Sequence, residues 1–117
     1  MIEEPYELKV DKYVFKVPRD RLYTENDSWV RIDGDLATVG ITDFIQNMAS
    51  DILFVQFSEV GTKIQQFDEL GTFESVKTML DVISPVSGTI VEVNNRLELE
   101  PELLNRDPYG EGWFMRI

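Results

Sequence analysis

The residue best placed to do chemistry is Lys77, which lies between two short runs with strand character. The first run covers residues 69–76, and the second covers residues 80–84 and leads to Pro85 and Gly88. Strand patterns on both sides of one residue predict a hairpin that holds this residue at its tip. A lysine at such a tip offers an exposed primary amine, which a modifying enzyme can convert to an amide.

The 117 residues include no cysteine and no histidine. This excludes disulfides, a thiolate nucleophile and cysteine metal sites, and it removes the commonest general base and metal ligand. No two of the acidic residues form a recognisable acid–base pair. We therefore expect a protein without a catalytic or metal site of its own. Any redox or group-transfer chemistry would need a covalent cofactor, and Lys77 is the residue to carry it.

The charge balance is strongly acidic, with 22 acidic against 11 basic residues and a formal net charge of −11. Such a surface repels nucleic acid and anionic membranes. The acids either keep a small protein soluble or steer it toward basic docking surfaces of partner enzymes. No apolar run approaches the ~20 residues that cross a bilayer. Residues 1–4 lack the pattern of an export signal, so we expect a soluble, cytoplasmic, single-domain monomer.

Most of the chain consists of short strand patterns separated by turn residues. Further strands are predicted at 6–10, 13–17, 29–32, 36–41, 51–57, 63–67, 89–93 and 113–117. Residues 51–57 are predicted to be a buried strand, and Gly34 and Gly88 are predicted to take turn conformations that other residues resist. This pattern predicts an all-β fold, a small antiparallel two-sheet sandwich or flattened barrel.

One or two short helices are expected between these strands. Thr42 precedes an apolar stripe formed by Phe44, Ile45 and Met48, which predicts a capped helix of one or two turns. Residues 101–104 begin with proline, which suits the first position of a single helical turn.

Residues 74–88 read Glu-Ser-Val-Lys-Thr-Met-Leu-Asp-Val-Ile-Ser-Pro-Val-Ser-Gly, and this segment resembles the lipoyl-attachment hairpin of the glycine cleavage H-protein family. Other matching segments follow in order: Tyr23-Thr24, Trp29-Val30, Gly34-Asp35, 37–43, Val60-Gly61, 91–94 and 107–113. The resemblance covers residues 22–117 and leaves 1–20 as an N-terminal hairpin extension. It implies a biotinyl/lipoyl-carrier-like fold with the lysine on an exposed hairpin.

The resemblance also implies a function. Lys77 would carry lipoic acid in amide linkage, and the protein would be a carrier rather than an enzyme. In the family, a glycine decarboxylase that uses pyridoxal phosphate passes an aminomethyl group to the lipoyl arm, and a folate-dependent aminomethyltransferase removes it. Dihydrolipoamide dehydrogenase then re-oxidises the arm. A lipoyl-attaching enzyme would modify Lys77 beforehand.

Residues beside the tip have weaker predicted roles. Glu74 and Asp81 are expected either to contact the lipoyl-attaching enzyme or the arm, or simply to keep the tip solvated. Ser75 and Val76 are expected to set the hairpin register. Leu80 and its neighbour Met79 could cover the arm, dock a partner or fold inward. Outside the hairpin, both tryptophans, Trp29 and Trp113, are expected in the core.

Three departures from the family pattern leave alternatives open. The family usually has His-Glu where this chain has Asp27 and Ser28, and that glutamate is thought to hold the amino group of the loaded arm. It usually has His or Tyr where this chain has Phe44, and it usually continues into a C-terminal helix beyond the last strand, whereas this sequence stops at Ile117.

A second hypothesis is therefore a paralogous lipoyl carrier, either for sulfur oxidation with a heterodisulfide-reductase-like complex or for lipoate relay. A third is an unmodified adaptor domain that only binds partners. A biotinyl carrier is disfavoured because Val76 and Thr78, rather than two methionines, flank the lysine.

Overall fold

The computed structural model describes residues 6–10 and 13–117, with side chains described for Glu7 and from Lys16 onward. In chain order, the first strands and helix are β1 Tyr6–Val10, β2 Tyr13–Val17, β3 Leu22–Tyr23, β4 Ser28–Asp33, β5 Leu36–Ile41, α1 Asp43–Ala49 and β6 Ile52–Phe57. The remaining elements are β7 Lys63–Ile64, β8 Glu69–Ser75, β9 Met79–Ile83, β10 Gly88–Thr89, β11 Glu92–Val93, α2 Arg96–Leu99, α3 Leu103–Arg106 and β12 Met115–Arg116.

Two antiparallel sheets form the body of the fold. The larger has the strand order β11-β12-β5-β4-β3, and the smaller has the order β6-β8-β9. Two small ribbons, β7 with β10 and β1 with β2, complete the described topology. Buried apolar side chains from both sheets, such as Val39 on β5 and Phe73 on β8, share one core cluster. The predicted fold class, antiparallel β with short helices, is confirmed.

The alternation of β8 separates the core from an outward face. Phe73 and Ser75 point inward and are almost fully buried, while Glu74 between them is exposed. Successive side chains of a strand lie on opposite faces, so along residues 71–75 the odd-numbered residues face inward, while Thr72 and Glu74 face outward. The outer face of this three-stranded sheet therefore leads directly to the hairpin tip.

The helix lies where the sequence predicted it, and only part of its apolar stripe is buried. Thr42 caps α1, because its hydroxyl oxygen accepts a hydrogen bond from the Ile45 amide at 3.3 Å. Phe44 and Met48 are each 40 % exposed, whereas Gln46 and Ala49 are buried. Gln46 faces inward because its side chain joins a hydrogen-bond network with Asn105, whose Nδ2 donates to Gln46 Oε1 at 3.1 Å.

Several strand predictions need correction. Residues 52–57 do form a strand, but it is not fully buried as predicted, because Leu53 and Phe54 are exposed. Residues 63–67 and 89–93 were predicted as continuous strands. In the first segment only β7 forms strand pairing, and the second is divided between the short strands β10 and β11. Trp29 is buried as predicted, whereas Trp113 is only half-buried and stacks against the Arg116 guanidinium at 4.0 Å.

The turn conformation predicted for Gly88 is not present. Gly34 has a φ of 60° as predicted, but Gly88 does not adopt a positive φ; it lies in the short strand β10. A Cβ added at Gly88 would lie 2.8 Å from the Ile117 side chain, so close packing explains the glycine there.

Residues 6–10 and 13–17 form the predicted N-terminal strands, while their turn, Asp11-Lys12, lies outside the described residues. Among the described helices, none is long and apolar enough to cross a membrane.

Gly71 allows a direct test of how β8 packs against β6. A Cβ at Gly71 would lie 2.1 Å from the backbone oxygen of Gln56, whereas a Cβ at Gly61, where φ is +95°, meets nothing within 4 Å. We expect Gly61→Ala to cost about 1–2 kcal/mol from backbone strain alone. Gly71→Ala should cost roughly 2 kcal/mol more, because backbone must move. Urea unfolding of both variants measures this difference, and equal costs would contradict the packing described.

Candidate functional site

The tip of the β8–β9 hairpin is closed by the Ser75 side chain. Val76 and Lys77 connect Ser75 to Thr78, and the Ser75 amide donates to the Thr78 carbonyl at 2.7 Å. The Ser75 hydroxyl oxygen accepts from the amides of Lys77 at 3.2 Å and Thr78 at 3.1 Å. A serine that bonds to the backbone two and three residues ahead forms a compact turn. The hairpin register is thus fixed at Ser75, which agrees with its predicted role.

The tip is also attached to the body of the protein. The Val76 amide donates to the Asp51 carbonyl at 3.1 Å, just beyond the end of α1. Ser75 itself is only 6 % exposed and pairs with Ile52 on β6. Lys77 is exposed. The backbone that carries the lysine is therefore held in place, while its side chain projects into solvent.

Apolar side chains surround the base of the lysine. Val76, Met79 and Phe54 are each more than 60 % exposed. Met79 and Phe54 also line a shallow groove of about 290 Å³ that runs along the outer face of β8. Leu80, by contrast, folds inward and packs against the core. Exposed apolar groups beside an exposed lysine provide a surface that a partner protein can bury.

The two acids beside the tip both lie on the outer face of the hairpin. Glu74 is paired across the strands with Met79, and Asp81 is paired with Thr72. Both are exposed, and neither forms an ion pair with another described residue. Their roles in recognition or arm contact stay predictions.

A second concave site lies at the other end of α1. It is a cavity of about 180 Å³. Its lining residues are Lys16, Val17, Tyr23, Thr24, Asp27, Thr42, Phe44 and Tyr109. The sequence analysis named Asp27 and Phe44 only as departures from a family pattern. Tyr23 and Tyr109 were named only within segments that match the family, and their proximity could not be predicted because they are 86 positions apart.

Asp27 is the acidic side chain of this cavity, and we call the site the Asp27 pocket. No described residue donates a hydrogen bond to its carboxylate or forms an ion pair with it, and burial raises the pKa of this carboxyl above its usual range. A half-buried carboxylate without a partner favours protonation, because its charged form has lost part of its hydration. The neighbouring Ser28 is 1 % exposed, and its hydroxyl is bonded to the Thr24 hydroxyl at 2.7 Å, so it does not line the pocket.

Tyr109 joins the pocket to the N-terminal hairpin. Its hydroxyl accepts a hydrogen bond from the Asp43 amide at 2.9 Å and donates to the Lys16 carbonyl at 2.7 Å. Burial raises the pKa of Tyr109 to about 12, and the charges of Asp43 and Asp27 contribute to this increase. The phenol therefore stays neutral, and it acts as a fixed bridge between β2 and α1.

Comparisons with known proteins give a consistent result. The family model described as "Glycine cleavage H-protein" matches residues 21–117. The glycine cleavage system H protein of Rubrobacter xylanophilus is 51% identical over 102 residues, which is 87% of this chain and 81% of that protein. A protein of Saccharolobus solfataricus described as a probable glycine cleavage system H protein 1 is 46% identical over 112 residues, covering 95% of this chain and 80% of that protein. A crystal structure of a glycine cleavage system H protein from Mycobacterium marinum matches with a TM-score of 0.81 and 37% identity, covering 86% of this chain and 84% of that one.

The Ser75 turn generates a prediction about local stability. Ser75→Ala removes the acceptor for the Lys77 and Thr78 amides, so their hydrogen exchange should become faster, with a loss of roughly 1 kcal/mol of local stability. Ser58→Ala is the control, because the Ser58 side chain makes no hydrogen bond to another described residue, and it should leave both exchange rates unchanged. Unaltered exchange at Lys77 and Thr78 in Ser75→Ala would show that the hydroxyl does not hold the tip.

Proposed function

The chain belongs to the glycine cleavage H-protein family, and we propose that it serves the glycine cleavage system with a lipoyl group in amide linkage to Lys77. The observation that supports this most directly is the tip itself: Lys77 is exposed, while its backbone amide is bonded to the buried Ser75 hydroxyl at 3.2 Å. A modifying enzyme needs a protruding amine, and a carrier needs that amine on a rigid support.

The residues around Lys77 fit an amide-linked, largely apolar group. Acylation removes the positive charge of the lysine, so the arm no longer requires full hydration. Val76, Met79 and Phe54 then provide apolar contacts for the arm or for a partner's active-site entrance. When bound, the lipoyl disulfide supplies both the acceptor for an aminomethyl group and a reversible thiol–disulfide couple.

We infer that the partners are glycine decarboxylase, aminomethyltransferase, dihydrolipoamide dehydrogenase and the lipoyl-attaching enzyme. In each encounter the chain presents the lipoyl group on the hairpin tip. The tether to Lys77 keeps this group at a high local concentration near a docked partner. With a formal net charge of −11, the surface favours partners that present basic residues around their active-site entrances. In this proposal the chain catalyses no step, acts as a monomer and resides in the cytoplasm.

A second candidate is a paralogous carrier that uses the same tip in another pathway, sulfur oxidation or lipoate relay. The observation that favours it is Ser28, which has no charge and is buried in a hydrogen bond with Thr24. If an acid at this position is required to hold the amino group of the loaded arm, this chain lacks that interaction.

Reconstitution decides between these candidates. The lipoylated chain, as the only carrier, should support exchange of bicarbonate with the glycine carboxyl group in the presence of purified glycine decarboxylase. Lack of exchange by a fully lipoylated, folded chain would reject the glycine cleavage role and favour the paralogue. A chain that carries no lipoyl group in its native host would instead favour an adaptor.

The attachment site gives the matching prediction. Lys77→Arg should abolish lipoylation and carrier activity while the free energy of unfolding changes by less than about 0.5 kcal/mol, because the side chain is exposed. Lys63→Arg, on the exposed position of β7, is the control and should remain lipoylated and active. Lipoylation that persists in Lys77→Arg and disappears in Lys63→Arg would refute the assignment.

A further inference from the structure

We propose that strand β1 is a self-association surface, along which two copies of the chain pair antiparallel around a two-fold axis at Leu8. The pairing joins the β1–β2 ribbons of the two copies into one continuous sheet, with the two β1 strands at its centre. It is a reversible equilibrium between single chains and dimers. It goes beyond the proposed function and does not depend on it.

Within the described residues, the free edge of the ribbon is β1. On β2, the Lys16 amide donates to the Asp43 carboxylate at 2.9 Å, and the Lys16 carbonyl accepts from the Tyr109 hydroxyl at 2.7 Å. Just after this strand, the Pro18 carbonyl accepts from the Tyr23 hydroxyl. These bonds attach β2 to the body of the protein, whereas β1 pairs only with β2. An edge strand with unpaired N–H and C=O groups is a template for another strand.

The bonds of Lys16 also show which backbone groups of β1 point outward. Glu7 lies directly opposite Lys16 in the ribbon. In an antiparallel pair, opposite residues alternately exchange both backbone hydrogen bonds or neither. The backbone groups of Lys16 are directed away from β1, so its pair with Glu7 is one that exchanges neither. The backbone N–H and C=O of Glu7, and by the same alternation those of Lys9, therefore face the free edge.

The order of charges along β1 favours self-pairing in one register. The strand reads Tyr-Glu-Leu-Lys-Val, so an acid and a base lie on either side of Leu8. A two-fold axis at Leu8 aligns the whole strand and places Glu7 of each copy opposite Lys9 of the other. These are the residues with outward backbone groups, so each such pair exchanges both backbone bonds. Registers centred on Glu7 or on Lys9 would place like charges opposite each other, which is destabilising.

In the paired sheet, Glu7 would lie between two lysines. Within one copy, the exposed Glu7 has the exposed Lys16 opposite it on β2. The second copy adds Lys9 on the other side, because directly opposite positions of neighbouring strands share a face. A lysine on an edge strand normally discourages pairing. Here the acid two positions earlier gives that lysine an opposite charge to meet, and this complementarity selects a second copy of the same chain.

The dimer is expected to be weak. A strand of five residues buries far less surface than a stable dimer interface does. In addition, two chains that each have a formal net charge of −11 repel one another. The carrier of the proposed function is therefore the single chain, and pairing adds a second form at high protein concentration.

The pairing surface is separate from the hairpin tip. The ribbon is attached at Asp43, the first residue of α1, whereas the backbone beside Lys77 is bonded to Asp51, beyond the end of α1. The ribbon also lies outside residues 21–117, which match the family model. Self-association along β1 thus does not involve the backbone that carries Lys77.

The first test is sedimentation velocity of the unmodified chain over a concentration range from about 10 µM to about 1 mM. We expect the sedimentation coefficient to rise with concentration from that of a single chain toward that of a dimer. Hydrogen exchange measured by NMR should slow at the Glu7 and Lys9 amides over the same range. The Leu8 amide, directed toward β2, should change little. A chain that stays monomeric throughout the range would overturn the proposal.

The second test reverses the charges of β1. Glu7→Lys and Lys9→Glu should each weaken self-association roughly tenfold, because like charges then face each other across the two-fold axis. An equimolar mixture of the two variants should associate about as strongly as the unsubstituted chain, since every acid in the mixed pair again faces a lysine. Restored association in the mixture also shows that both variants keep a folded ribbon.

Glu25→Lys and Lys63→Glu are the matched controls, because they make the same changes of charge at exposed positions outside β1. Both should associate like the unsubstituted chain. If Glu7→Lys and Lys9→Glu also do so, another surface pairs and the proposal is wrong. A mixture that associates no more strongly than either variant alone would overturn it as well. All these measurements use the unmodified chain, so their outcome is independent of whether Lys77 carries a lipoyl group.

Discussion

The hydrogen bonds of the Ser75 hydroxyl are the constraint on which the site depends. Ser75 is buried with the core residues of β8, yet its oxygen accepts from the amides of Lys77 and Thr78. One side chain thus joins the sheet to the tip. Without it, the loop would have two unpaired amides and more conformational freedom. A mobile loop would carry the same lysine, but it would present that lysine less reproducibly to each partner.

The molecule separates two requirements that a carrier has to meet. At the tip, exposed apolar residues and an exposed lysine would, in the proposed role, be accessible to several enzymes in turn. At the far end of α1, aromatic rings and a half-buried carboxylate line a small cavity. The length of α1 sets the distance between them.

Much of this could be predicted from the sequence, because the relevant signals are local. Alternation and turn residues located the hairpin, the Thr42 cap located α1, and Gly34 identified a tight turn. The errors concern interactions between distant residues. The apolar stripe of α1 was predicted, but its local pattern did not indicate that the network of Gln46 with Asn105 leaves Phe44 and Met48 exposed. The pocket was missed because Tyr23 and Tyr109 meet only in the folded chain. The conformation of Gly88 was predicted wrongly because its packing against Ile117, 29 positions away, is not visible in the neighbouring residues.

The central claim is that Lys77 carries the lipoyl group in the glycine cleavage system. It is tested most directly by peptide mass spectrometry of the chain purified from its native host, grown with and without glycine as the nitrogen source. We predict one lipoylated peptide, with the modification on Lys77, and a larger amount of this form when glycine is present. Native protein that is unmodified at Lys77 under both conditions, or that carries lipoate on another lysine, would contradict it.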